Sequence, residues 1–247
     1  MMWRLLPFRR ERASMNMAID EAVSESVSSG GAPTIRFYGW EPSAVSIGRF
    51  QRIEDEVDLK ECAIHGVEVV RRRTGGGAVY HDRDGEITYS VIAPEEVMGK
   101  DIPASYREVC GWVIDALSDL GMTADFAPIN DVTVAGRKVS GCAQTRRGGV
   151  FLQHGTVLHS INVRKMFSLL KVSDEKLSDK AIAAAEDRVT SVSALSGAGY
   201  GDLLSSLRRS FCRGRECREG SLSPDETARA VELAGCRYDD AGWTFSR

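Results

Sequence analysis

Apolar residues recur at helical spacing from Met15 to about Val27. Met15, Ala18, Ile19, Ala22 and Val23 share a face, with Asp20 and Glu21 as the polar positions between them. This predicts an amphipathic helix that Ser28-Ser29-Gly30-Gly31-Ala32-Pro33 stops. A second stripe, Val109, Trp112, Val113, Ala116, Leu117 and Leu120, predicts a longer helix over about 104–120, with Gly121 as its C′ residue. Short runs rich in β-branched and aromatic residues predict strands at 34–38, 44–48, 67–70, 78–80 and 86–92. Residues 131–134 and 137–141 read as a hairpin turning near Ala135-Gly136, and 149–158 supplies one or two more strands. A short helix is expected over about 58–66.

The last third has fewer strand signals. Residues 163–170 and 203–211 are helix candidates, and the charged, alanine-rich stretch 173–188 reads as helix or mobile loop. In the tail, Ser223-Pro224-Asp225-Glu226 has the form of a capping box with Pro at N1, opening a helix that should end at Gly235. Mixed helices and strands with antiparallel hairpins predict an α+β fold, mixed and antiparallel sheets flanked by helices. The 247 residues suit one domain, with a core over about 1–210 and a short helical tail over about 221–247.

Composition narrows the function classes. A net charge of −3 gives no sign of a general nucleic-acid binder, so anion binding must come from local clusters. No stretch approaches the roughly 18 apolar residues needed to span a membrane, and the N-terminus lacks the apolar region of a signal peptide, so a cytoplasmic location is expected. The six cysteines are scattered without a Cys-x-x-Cys pair, which argues against a zinc ribbon or a thioredoxin-like site.

The densest candidate chemistry is Arg71-Arg72-Arg73-Thr74-Gly75-Gly76-Gly77-Ala78-Val79-Tyr80-His81-Asp82. Three glycines let the backbone approach a ligand closely, and arginine is shaped to hold phosphate or carboxylate oxygens. It is neither a P-loop nor a dinucleotide-binding turn, because no Gly-Lys-Ser/Thr or GxGxxG follows. Alone it reads equally as a flexible hairpin beside a solvated arginine edge. A second basic site is Gly136-Arg137-Lys138-Val139-Ser140-Gly141, where a lysine on a strand can aim its ammonium at an acyl or phosphoryl oxygen. His154 in His154-Gly155-Thr156 is flanked by strand residues, which also suits a satisfied core histidine. Asn130-Asp131 offers oxygen ligands to Mg²⁺ or is simply a turn.

In their order along the chain these segments resemble the lipoate–protein ligase A family. The resemblance includes Met15-Asn16-Met17-Ala18-Ile19-Asp20-Glu21, Ile35-Arg36-Phe37-Tyr38 and Val45-Ser46-Ile47-Gly48-Arg49-Phe50-Gln51, and covers most of residues 1–210. It implies the α+β catalytic domain shared by biotin and lipoate ligases. It also implies activation of lipoate with ATP and Mg²⁺ to lipoyl-AMP, then transfer to a lysine of a carrier domain. Those carriers are the lipoyl domains of 2-oxo-acid dehydrogenases and the glycine-cleavage H protein. By the resemblance, Arg72, Gly75, Gly76, Gly77, Ala78, Val79 and Tyr80 contact the nucleotide, with Arg71 and Arg73 as solvated neighbours. Lys138 is the catalytic cation, bridging adenylate phosphate and acyl oxygen. Gly75, Gly76, His81, Lys138, His154 and Gly155 hold the lipoyl group, and Asp131 is the metal candidate. No C-terminal accessory domain of the kind many such ligases carry is expected, and the chain resembles the split form, in which a separate small protein supplies it.

Two alternatives stand beside this. Cys142-Ala143-Gln144-Thr145-Arg146 and 149–155 also resemble the octanoyltransferases of the same superfamily, which use a cysteine nucleophile and no ATP. Their cysteines lie in contexts that here hold Asn130-Asp131 and Arg147-Gly148-Gly149, so Cys142 is the nearby thiol, and it reads as a small buried strand residue. The other alternative is a non-catalytic lipoyl- or biotinyl-binding protein.

Overall fold

A computed structural model describes residues 1–171, 183–184 and 186–246. Most of the expected helix or loop over 173–188 falls outside them. Two strands, β3 (Thr34–Trp40) and β7 (Glu86–Pro94), are buried along nearly their whole length. They sit in the middle of a large sheet and are covered on both faces. The sheet runs β12 (Glu216–Glu219), β1 (Met2–Leu5), β3, β7, β11 (Val150–Leu158), β10 (Arg137–Arg147), β9 (Asp131–Val134), β8 (Ala124–Ala127), with β2 (Arg9–Glu11) also on β3. Pairing is parallel from β12 through β1 to β3 and antiparallel from β3 to β8. A second, three-stranded sheet orders β5 (Glu68–Arg71), β4 (Ala44–Ile47), β6 (Val79–His81). This is the expected α+β architecture.

Residues directly opposite one another across a sheet share a face. One row is Tyr38, Thr88, Thr156, Gly141 and Asp131, and the next on the same face is Arg36, Ser90, His154 and Ala143. The row between them, Phe37, Tyr89, Gly155 and Cys142, points the other way. That second face packs on α4 (Ile102–Ser118) and α7 (Tyr200–Cys212), with Phe211 edge-on to both Phe37 and Tyr89 at 5.0 Å. The first face carries α1 (Ala13–Ser28) and, further along, the small sheet.

Helix α1 departs from the simple amphipathic reading. Asp20 and Glu21, the expected solvated positions, are both buried. The helix is sandwiched between the large sheet and the C-terminal segment, so it has no broad wet face. Each carboxylate meets cations supplied by other elements: Asp20 meets Arg36 of β3, and Glu21 meets Arg73 and Arg237. Four short strands escaped the pattern, namely β1, β2, β8 and β12. Each has only three or four residues, too few for alternation to register.

The Ser223–Glu226 capping box forms, with Ser223 Oγ accepting from Glu226 N at 3.1 Å and Glu226 accepting from Ser223 N at 2.8 Å. Its helix, α8 (Pro224–Leu233), does not run to Gly235; it passes into a π-helical turn, Ala234–Tyr238, that packs against α1. The tail continues to α9 (Ala241–Thr244), whose Trp243 and Thr244 carbonyls accept from the fully buried Arg71. In return, Trp243 Nε1 donates to the Arg71 carbonyl at 2.8 Å. Arg71 and Arg73 are therefore not solvated neighbours: one is core, the other is ion-paired with buried Glu21 at 3.0 Å.

Candidate active site

The glycine turn leaves β5, crosses between the sheets and returns as β6. Arg72 organises it from within. Its five N–H groups meet five acceptors: Thr74 Oγ1, the carbonyl and hydroxyl oxygens of Ser46, and the carbonyls of Gly75 and Gly77, at 2.7–3.2 Å. Burial pushes the guanidinium down to about 10. Arg72 thus lines the cavity while its donors hold the turn in shape. Gly48 supports the turn from below. A Cβ there would collide with the Gly76 carbonyl, main chain that cannot swing away. Replacing Gly48 with alanine should lower kcat/KM for the chain's reaction roughly 10–100-fold, because a displaced turn misplaces whatever the cavity binds. Steady-state kinetics beside a thermal melt checks this, and an unchanged kcat/KM contradicts it. The sequence offered one signal for Gly48, the Ile47-Gly48-Arg49 end of a strand, but the collision is visible only in three dimensions.

Two buried hydrogen-bond relays converge on this turn. In one, Thr74 Oγ1 lies 2.7 Å from His154 Nε2, and His154 Nδ1 lies 3.3 Å from Asp20 Oδ2. Asp20 also accepts from Arg36 Nη1 and from Ser90 Oγ, each at 2.7 Å. Burial alone would raise the Asp20 carboxyl, but the Arg36 charge and the His154 and Ser90 hydrogen bonds hold it below its usual range. Burial lowers His154, so its neutral form prevails. In the other relay, Ser46 Oγ is 2.8 Å from His81 Nε2, and His81 Nδ1 is 2.6 Å from Glu86 Oε1. Because Arg72 donates to both Thr74 and Ser46, each hydroxyl can pass its own hydrogen to a histidine Nε2. Each histidine then presents Nδ1–H to a carboxylate.

Lys138 stands at a bulge where β10 slips against β9 between Lys138 and Ser140. Bulges re-aim a side chain. Main-chain bonds to Arg188 and from Thr190, both 2.8 Å, pin it on the other side. Its ammonium lies 2.7 Å from Asp131 Oδ1, and both side chains are partly exposed, at 44% and 30%. A Cβ on Gly141 would come within 2.7 Å of the Lys138 Nζ, so glycine there leaves room for the ion pair.

A cavity of about 330 Å³ joins these groups between the two sheets. Arg72, Gly76, Gly77, Ala78, Val79, Tyr80, His81, Lys138, His154 and Gly155 all border it. Of the residues expected at the site, Gly75 and Asp131 do not border it directly: Gly75 turns its carbonyl to Arg72, and Asp131 reaches the rim through Lys138. Sequence reasoning missed Met17, Tyr38, Trp40, Ser46, Glu86 and Thr88 as wall residues, because they come from strands and a helix read as core. Trp40 stacks on His81 at 4.0 Å and donates to Thr88 at 2.8 Å. Among the described residues no group of three His, Cys, Asp or Glu side chains gathers as a metal site, and Asp131 is engaged by Lys138. Likewise, among the described residues no helix is long and apolar enough to cross a membrane.

Cys142 does not face Lys138. Its side chain lies on the α4 face of the sheet, with Sγ 3.7 Å from Cys110 Sγ and 3.2 Å from both the Asn130 carbonyl and Gln153 Nε2. The neighbouring Cys110 and burial push the thiol well above its ordinary range.

Residues 12–203 match the family described as the lipoyl protein ligase A/B catalytic domain. The octanoyltransferase LipM of Geobacillus kaustophilus is 32% identical over 99% of this chain and 98% of its own length. LipM of Kyrpidia tusciae is 34% identical over 99% of each. Among solved structures, a bipartite lipoate protein ligase studied with its E2 lipoyl domain from Thermoplasma acidophilum superposes with a TM-score of 0.91 at 32% identity, covering 99% of this chain and 96% of that one. The full-length sequence relatives overturn the expectation of ATP-dependent lipoate activation. They are octanoyltransferases, and moving an acyl group that is already activated requires neither ATP nor Mg²⁺. The chain is an enzyme of the lipoate and octanoyl transfer class, and it belongs to the lipoyl protein ligase A/B catalytic-domain family.

Proposed function

We propose that this chain transfers an octanoyl-type acyl group from a thioester donor to a lysine of a lipoyl domain. What supports this is one cavity bordered both by the partly exposed Lys138 and by the buried Trp40–His81 stack. Gly141, beside Lys138, and Thr88, beneath Trp40, lie two strands apart in one row, roughly 10 Å. An extended eight-carbon chain spans about 9 Å. With its carbonyl at Lys138, such a chain ends beside Trp40, passing Tyr38, Val79 and Tyr80. The Lys138 ammonium then faces the carbonyl oxygen, where negative charge grows as the carbonyl becomes tetrahedral. The glycine turn, held by Arg72, closes over the chain and excludes water from the thioester. Lipoyl domains enter as acceptors by analogy with the Thermoplasma ligase, which was studied with its E2 lipoyl domain.

The test uses the purified full chain, octanoyl-pantetheine thioester and an unmodified lipoyl domain, without ATP. The lipoyl domain should gain one octanoyl group by intact mass, lost on replacing its target lysine. Modification that occurs only with free octanoate and ATP, with release of AMP, would overturn the proposal.

A further inference from the structure

We propose that Trp243 is a positioning residue: the segment it anchors braces the glycine turn from behind, through the buried guanidinium of Arg71. Arg71 ends β5 and Arg72 follows it, so the two side chains leave the chain on opposite sides. Arg72 borders the cavity and Arg71 does not. Arg71 is instead fully buried between two other pieces of chain.

One piece is the loop 48–51 that follows β4. Arg71 Nη1 donates to the Gly48 carbonyl at 3.0 Å and to the Gln51 carbonyl at 2.8 Å. The other piece is α9. Arg71 Nε donates to the Trp243 and Thr244 carbonyls at 3.2 and 3.1 Å, and Nη2 donates to the Thr244 carbonyl at 2.8 Å. A guanidinium is planar and holds its donors in a fixed fork. One rigid group thus sets α9 against the loop. The loop in turn meets the glycine turn at two points. The Arg49 amide donates to the Thr74 carbonyl at 2.8 Å, and Gly48 lies against the Gly76 carbonyl with no room for a Cβ. Gln51 Oε1 accepts from the Gly48 amide at 2.8 Å and keeps the loop in shape.

Trp243 locks the outer end of this path. Its indole N–H donates to the Arg71 carbonyl at 2.8 Å, and its main-chain N–H donates to Asp240 Oδ2 at 3.0 Å. The Arg49 guanidinium lies over its ring at 4.6 Å, within range of a cation–π contact. Arg49 therefore grips α9 with its side chain and the glycine turn with its main chain. Without the indole, α9 loses both its bond to β5 and its stack on Arg49, and the carbonyls of residues 243 and 244 drift from Arg71. Buried donors left without acceptors are costly, so the guanidinium rotates toward water and releases the loop.

Amide hydrogen exchange on the full chain, read by mass spectrometry, tests the brace whatever the substrate is. Trp243→Ala should speed exchange about fivefold in peptides covering 47–51 and 72–80 and leave β3 and β7 unchanged. Trp243→Phe should speed it less, because a ring stays on Arg49 and only the indole bond is lost. A kinetic arm rests on the transfer reading above: KM for octanoyl-pantetheine should rise about tenfold in Trp243→Ala with kcat changed less, the mark of weakened binding. Unchanged exchange at 47–51 and 72–80 overturns the inference. Acceleration spread evenly over β3 and β7 overturns it too, since that marks a merely structural loss. Faster exchange with unchanged kinetics in an active chain removes Trp243 from positioning. Where Trp243→Ala does not fold, Trp243→Phe carries the same comparison. A wild-type chain that never octanoylates a lipoyl domain from the thioester overturns the transfer reading and leaves the brace, read from exchange, standing.

Discussion

Replacing Lys138 with alanine should lower kcat for acyl transfer by about 10²–10³, the usual cost of removing one preorganised donor from a developing oxyanion. Folding should change little. The side chain is 44% exposed and its ion-pair partner among the described residues, Asp131, is 30% exposed, so the pair is a partly solvated one of small net worth. KM for the thioester should move less than kcat, because the ammonium meets a neutral carbonyl in the ground state and an anion in the transition state. Arginine should rescue poorly. Its planar fork is longer, and Gly141 leaves room shaped for one ammonium beside Asp131. Rates measured with octanoyl-pantetheine, alongside circular dichroism, check this. A kcat within twofold of wild type would remove Lys138 from the chemistry.

Asp20→Ala should be the most damaging substitution for stability, costing about 3–5 kcal/mol, since it leaves Arg36 buried without its carboxylate. Among the described residues Arg36 would keep the Asn16 carbonyl and side-chain oxygens and its stacking on the Tyr38 ring. Ser90 and His154 would lose their shared acceptor as well. Against a total of about 5–15 kcal/mol for a typical domain, this is a large fraction. Urea unfolding at pH 7 measures it, and a loss below 1 kcal/mol would show that the pair is not structural.

The same network sets a pH dependence. His154 is held below its ordinary value by burial, so the unfolded chain takes up a proton that the folded chain refuses as pH falls below about 6.5. Stability should therefore begin to fall below about pH 6.5 and stop falling on this account once the folded histidine also protonates. Asp20 is depressed in the fold, so its contribution is complete above the ordinary carboxylate value near 4 and disappears as pH drops through its lower folded value. Both act in the same direction. Wild type should lose stability between pH 7 and 5, and His154→Gln should flatten that part of the curve.

The correction from ligase to transferase came from the comparisons, and its physical reason is instructive. On the proposed reading, the glycine turn, Lys138 and His154 would serve any acyl group whose carbonyl must be held and polarised. Whether the acyl group arrives as an adenylate or as a thioester changes the leaving group, not this cradle. The residue pattern at 71–82 and 136–141 is therefore shared by ligases and transferases and does not specify how an acyl group would be activated.

By itself the sequence determined the elements with long periodic signals, the α+β class, and the cavity lining contributed by consecutive residues: Arg72, Gly76, Gly77, Ala78, Val79, Tyr80 and His81. Those are local properties, set by side-chain spacing and by glycine's freedom over a few residues. It also marked Lys138 and His154 by their neighbours in the chain. Only the tertiary structure decided which face each strand presents. One residue of register separates His154, turned to the turn and to Asp20, from Cys142 across the β10–β11 pair, turned to Cys110. It also decided that Asp20 and Glu21 are buried, since their cations arrive from residues 36, 73 and 237. Arg71 was the clearest case. An arginine in a basic run reads as solvated until carbonyls from residues 48–51 and 243–244 converge on it, and that convergence is a property of the folded chain alone.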